Sequence, residues 1–139
     1  MRTVLDAYAL IAFLVDEPAA PQVEDLLRHR RAAITSVNYA EALDRLVRGH
    51  GVPEHAVSAA MAPLLDDGLD EIDVDFRLAR SAARLRSTHY HRTRCPLSLA
   101  DCVCLAAVAD GDVLATADTP TLDVADAERI ETIRLPPAR

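Results

Sequence analysis

Five short stretches of strand character alternate with longer helical stretches along the whole chain, and few folds accommodate that rhythm. Thr3–Leu5, Ala33–Val37, Glu71–Val74, Val113–Thr116 and Ile130–Leu135 read as strands. Between them, Ala7–Val15, Pro21–Arg31, Tyr39–Arg48, Pro53–Leu65, Phe76–His89, Ser98–Ala109 and Thr121–Ala127 read as helices, with Arg92–Leu97 as a loop. Strands separated by helices predict an α/β fold: a parallel sheet of about five strands with helices on both faces. With 139 residues, half of them hydrophobic, one domain over residues 1–139 has enough material for an ordinary core. In such sheets ligands bind beyond the carboxyl ends of the strands, where the strand order reverses.

Several function classes are excluded early. The longest apolar run, Ala7–Val15, is too short to span a bilayer. The chain opens directly on a strand, with no charged and apolar leader before it, so a cytoplasmic protein is expected. Cys95, Cys102 and Cys104 are an odd number without framework spacing and are expected to be reduced thiols. A P-loop would need GK[ST] and a dinucleotide fold GxGxxG; neither occurs. A phosphorylated receiver domain needs a lysine, and all fifteen basic residues here are arginine. A haloacid-type phosphatase needs a second Asp two residues after Asp6, where Tyr8 stands.

Four acidic residues remain. Asp6 follows the first strand, Asp118 the fourth, Glu41 opens a helix soon after the second, and Asp101 lies in the first turn of an apolar helix. Each has a local explanation. Asp6 and Asp118 can cap helices, Glu41 can pair with Arg45 one turn later, and Ser98-Leu-Ala-Asp101 fits a capping box. Jointly they mean more, because an α/β fold brings all four to one edge of its sheet. Two carboxylates 4 Å apart repel by about 4 kcal/mol at an effective dielectric near 20. With no lysine available, a divalent cation with a preference for oxygen ligands, Mg²⁺ or Mn²⁺, is the expected relief. The formal charge of −7 argues against general nucleic-acid binding, yet Arg77, Arg80, Arg84, Arg86, Arg92 and Arg94 crowd one stretch. A basic rim beside an acidic hole and a merely solvated helix face both fit that stretch.

The segments VLDAYALIAFLVDEP, ITSVNYAEAL and LSLADCVCLAAVADGDVLATAD resemble, in order and spacing, the PIN domain, and most closely the VapC-type toxins of type II toxin–antitoxin modules. The resemblance covers nearly the whole chain. It implies a metal-dependent endoribonuclease with Asp6, Glu41, Asp101 and Asp118 as its acidic set. Asp6, Asp101 and Asp118 would hold Mg²⁺ or Mn²⁺, Thr116 would support them, and the products would carry 5′-phosphate and 3′-hydroxyl groups. It further implies a homodimer and a VapB-like antitoxin lying across the groove beside Ala7–Val15 and Tyr39–Val47. Arg92 and Arg94 are the expected contacts to RNA or partner. Two departures stand out: Ala7 and Tyr8 follow Asp6 where relatives carry a hydroxyl, and the loop before Leu97 is rich in His and Arg. The alternatives are a PIN-like interaction module without catalysis and a free-standing PIN nuclease in RNA processing.

Overall fold

Val4 and Leu5 are both fully buried, on opposite faces of the first strand, and they divide the interior in two. Leu5 joins a core with Leu10, Ile34, Leu46 and Met61. Val4 joins a second with Leu85, Leu97, Cys104, Leu114 and Val124. A strand with apolar residues on both faces must lie inside a sheet covered on both sides. The computed structural model, which describes residues 1–139, shows that arrangement.

The elements run β1 (Arg2–Leu5), α1 (Ala7–Leu14), α2 (Ala20–His29), β2 (Arg31–Thr35) and α3 (Ser36–Asp44). They continue as α4 (Glu54–Asp67), β3 (Leu69–Ile72), α5 (Phe76–His89), α6 (Leu99–Ala106), β4 (Val113–Thr116), α7 (Thr119–Ala127) and β5 (Glu131–Arg134). The sheet order is β3-β2-β1-β4-β5, and every pairing is parallel. The chain leaves β1 toward β2 and leaves β4 toward β5, in opposite directions. The ends of β1 and β4 therefore flank the switch point where ligand crevices open.

Several boundaries differ from the sequence expectation, each for a local reason. β2 ends at Thr35, two residues early, because the Thr35 hydroxyl accepts the Asn38 N–H and starts α3 at once. β3 begins at Leu69 rather than Glu71, because Gly68, at φ 146°, caps α4 and turns the chain directly into the sheet. β3 stops at Ile72, and Asp75 then caps α5 by accepting the Leu78 N–H. α6 ends at Ala106 instead of Ala109. After α3 the helix widens into a π turn over Arg45–Gly49. No helix is long and apolar enough to cross a membrane.

Two long-range ties hold the ends of these elements. Buried Asn38 accepts the Thr35 hydroxyl at 2.5 Å and donates to the Ala100 carbonyl at 3.0 Å, so α3 is moored to the start of α6. After β5 the chain turns back over α1: the Tyr8 hydroxyl donates to the Pro136 carbonyl at 2.8 Å, and Arg139 donates to the Asp16 carbonyl at 2.7 Å. Asn38→Ala removes the first tie and leaves the Ala100 carbonyl without its partner. A loss of about 1–3 kcal/mol is expected, read as a fall of several degrees in Tm by circular dichroism. An unchanged Tm would mean that the mooring carries no stability.

Candidate functional site

Asp6 comes directly after β1 and closes its backbone onto the sheet through a bond from its N–H to the Ala115 carbonyl. Its side chain starts α1: Oδ1 accepts the Ala9 N–H at 2.8 Å. Oδ2 accepts the Thr116 hydroxyl at 2.5 Å. Thr116, fully buried at the end of β4, also accepts the Asp118 N–H at 3.1 Å. One hydroxyl thus fastens the two strand ends that flank the switch point.

Asp118 starts α7, with Oδ2 accepting both the N–H and the hydroxyl of Thr121 at 3.1 and 2.6 Å. Asp101 closes a reciprocal capping box at the head of α6: its Oδ2 accepts the Ser98 N–H at 2.9 Å while its own N–H donates to Ser98 Oγ. The local explanations and the clustered one therefore hold together. The caps exist, and by setting three helix starts at one sheet edge they bring the carboxylates to one place. Glu41 arrives on α3, whose position relative to α6 is fixed by Asn38.

Asp6, Glu41, Asp101 and Asp118 all line one open cleft of about 250 Å³. The four differ in exposure. Asp6 sits at the floor, Glu41 and Asp101 are half-buried, and Asp118 is exposed at the rim. Burial first, and like charge second, raises three of these carboxyls. Burial, with the negative charges of Asp101 and Asp118, pushes the Asp6 carboxyl up to about 6, although its bonds from Thr116 and Ala9 pull the other way. Burial, then the Asp118 charge, raises Asp101 against the pull of its Ser98 bonds and Arg45. Glu41 is raised by burial and by Asp101, with Arg45 and Asn38 opposing.

The donor set suits a hard divalent cation: oxygen atoms only, net negative, in one solvent-open cleft. Asp101 Oδ1 and Asp118 Oδ1 take no hydrogen bond from within the chain, since the caps use the other oxygen of each. As they stand, no three side chains converge closely enough to hold one ion together. Shared coordination requires side-chain rotation from these conformations.

Sequence reasoning missed parts of the cleft wall. Tyr8 lines it on one side, beside Pro137 and Ala138 of the returning tail, and Arg45 lines it on the other. The i,i+4 spacing of Glu41 and Arg45 was the available signal for the arginine; nothing in the tail announced its position. Arg92 and Arg94 are exposed and do not line the cleft. They sit on a turn closed by His91, whose Nδ1 accepts the Thr93 and Arg94 N–H groups at 3.2 and 3.0 Å. The remainder of the arginine-rich stretch is partly spent on structure. Arg84 and His89 hold Glu128, and Arg86 donates to the Leu97 carbonyl while lying over the Tyr90 ring.

A family model described as PIN domain matches residues 3–127. Among solved structures, the chain is similar to VapBC2 from Rickettsia felis bound to a promoter DNA fragment, with a TM-score of 0.71 at 14% identity, covering 98% of this chain and 100% of that one. It is also similar to FitAcB from Neisseria gonorrhoeae, with a TM-score of 0.64 at 18% identity over 95% and 96% of the two chains. A third match is VapC20 from Mycobacterium tuberculosis, a sarcin-ricin loop cleaving toxin, with a TM-score of 0.62 at 15% identity over 96% and 89%. No curated protein sequence matches the chain.

The raised Asp6 carboxyl has a direct consequence for stability. Its native pKa, about 6, lies above its ordinary 3.8, so the folded state holds the proton more tightly than the unfolded one. Below about pH 4 both states are protonated and the group costs nothing. Stability then falls as pH rises from about 4 to 6, by an amount on the order of 3 kcal/mol when complete. In chelator, Asp6→Asn is therefore expected to raise Tm at pH 7.5, and the difference should vanish near pH 4. A variant less stable than the parent at every pH would show that the Thr116 and Ala9 bonds outweigh the cost of the charge.

Proposed function

The chain belongs to the PIN domain family, and on that footing we propose that it is a Mg²⁺- or Mn²⁺-dependent endoribonuclease acting in the cytoplasm as the toxin of a toxin–antitoxin pair. The observation that carries this reading is the meeting of Asp6, Glu41, Asp101 and Asp118 in one cleft at the switch point of the sheet. The likeness in fold to VapBC2 and to VapC20, a toxin that cleaves the sarcin-ricin loop, supports it.

Asp6, Asp101 and Asp118 would hold the cation, with Glu41 close by. When bound, such an ion supplies Lewis-acid chemistry, lowering the pKa of water and drawing charge from a phosphodiester. The chain's own contribution is positioning. Thr116 fixes Asp6 Oδ2 and the Asp118 backbone at once. The caps of α6 and α7 leave one oxygen each on Asp101 and Asp118 facing the need for a positive charge. Glu41, its pKa raised by burial and by Asp101, is suited to take the proton that an attacking water gives up. In-line attack at phosphorus would leave 5′-phosphate and 3′-hydroxyl ends.

As partners we assign a second copy of the chain and a VapB-like antitoxin. A helical segment of the antitoxin would lie beside the cleft, along α1 and α3, and its basic side chain would compete with the cation for the carboxylates. Arg92 and Arg94 are offered to RNA or to that partner.

Asp101→Asn keeps the capping oxygen but removes the charge. It should abolish divalent-dependent cleavage of single-stranded RNA, by at least about a hundredfold, while circular dichroism stays that of the parent. Undiminished cleavage by this variant would sink the assignment. Co-expression with the protein of a neighbouring small reading frame should give a complex on size-exclusion chromatography with its nuclease silenced. A fully active monomer that ignores that protein would leave a free-standing PIN nuclease.

A further inference from the structure

Arg45 is the one cation among the residues lining the carboxylate cleft. It is exposed, and the strengths of Glu41 and Asp101 both register it, since its charge pulls each carboxyl down. Those residues come from two helices, α3 and α6, and the guanidinium lies within the field of both. Yet it enters none of the ion pairs of the molecule, although other arginines are engaged. Arg48 closes on Asp44 at 2.8 Å, Arg28 on Glu24 at 2.7 Å and Arg2 on Asp112 at 3.3 Å. An arginine one turn from Glu41, and in the field of a second carboxylate, has every chance to pair and does not.

The local backbone accounts for its position. Arg45 begins the π turn, and its carbonyl accepts the His50 N–H at 3.0 Å, five residues on. The wide turn carries Leu46 into the core and keeps Arg45 on the face of Glu41, four residues before it. Single π turns of this kind occur often at functional sites.

A cleft with four carboxylates repels the phosphates of RNA, and something in it must attract them. A guanidinium presents a planar fork of donors that matches two phosphate oxygens at once. We infer that Arg45 is a substrate-binding residue of this cleft, gripping a backbone phosphate of the RNA next to the carboxylates. The inference rests on the nuclease reading above.

The test is steady-state cleavage of a short fluorescent single-stranded RNA by the whole protein in Mg²⁺, at several salt concentrations. The variants are Arg45→Gln, Arg45→Lys and, as a control one turn away and outside the cleft, Arg48→Gln. Arg45→Gln should raise KM about tenfold with kcat within about threefold of the parent. It should also flatten the dependence of log KM on log salt by about 0.7, the loss of one phosphate contact to a single strand. Arg45→Lys should restore the slope but only part of KM, since an ammonium cannot form the fork. Arg48→Gln should leave both unchanged. If the parent cleaves and Arg45→Gln keeps its KM and salt slope, the inference is overturned. It is overturned equally if the substitution moves only the pH profile of kcat, because Arg45 would then merely tune Glu41. A parent that does not cleave at all would instead refute the nuclease reading, and the two failures are told apart by that first measurement.

Discussion

The buried hydroxyl of Thr116 is the joint of this molecule. It donates to Asp6 at the end of β1 and accepts from the backbone of Asp118 just after β4. Those two strands are neighbours in the sheet, yet their chains depart in opposite directions. The backbone ladder already joins the two strands as far as Leu5 and Ala115, and the hydroxyl extends that pairing to the side chain of Asp6 and the backbone of Asp118. It thereby gives the helices that start at those two strand ends, α1 and α7, a common fixed point. Valine in this place would keep the shape of the strand and lose both bonds.

Cap and cluster are the same residues, and that economy explains how a protein tolerates so much like charge in one place. A helix start offers unpaired N–H groups and the positive end of a dipole. Three of the four carboxylates sit at such starts. The favourable field of each helix offsets part of the mutual repulsion, while burial, with the neighbouring negative charges added to it, raises the carboxyls of Asp6 and Asp101. The site is therefore stable enough to fold and still short of positive charge. Arg45 is the one positive charge among the residues lining the cleft.

Much of this was legible in the sequence. The alternation of strand and helix segments predicts the parallel sheet, and the four acidic residues at strand ends and helix starts line one cleft. The same signals misplaced β2 and β3 by two residues, because Thr35 and Gly68 act through side-chain capping and an unusual φ angle, which periodicity does not register. Exposure within the cluster is not legible from the flanks: Asp118 follows the fully buried strand Val113–Thr116, yet its own side chain stands exposed at the rim. Asn38 left no pattern to read, since its partner at Ala100 lies sixty-two residues away. Nor did Pro137 and Ala138, which reach the cleft only because the chain after β5 folds back over α1.

The capping bonds also turn the backbone into a set of gauges. The amide protons of Ala9, Ser98 and Thr121 each point at one carboxylate of the cleft. Amide chemical shifts in nuclear magnetic resonance respond to the charge and direction of the acceptor they face. Three peaks from three separate helices thus register, residue by residue, which carboxylate has gained a proton, a cation or a partner's side chain. The protein carries at its helix starts a way of watching its cleft without a label placed inside it.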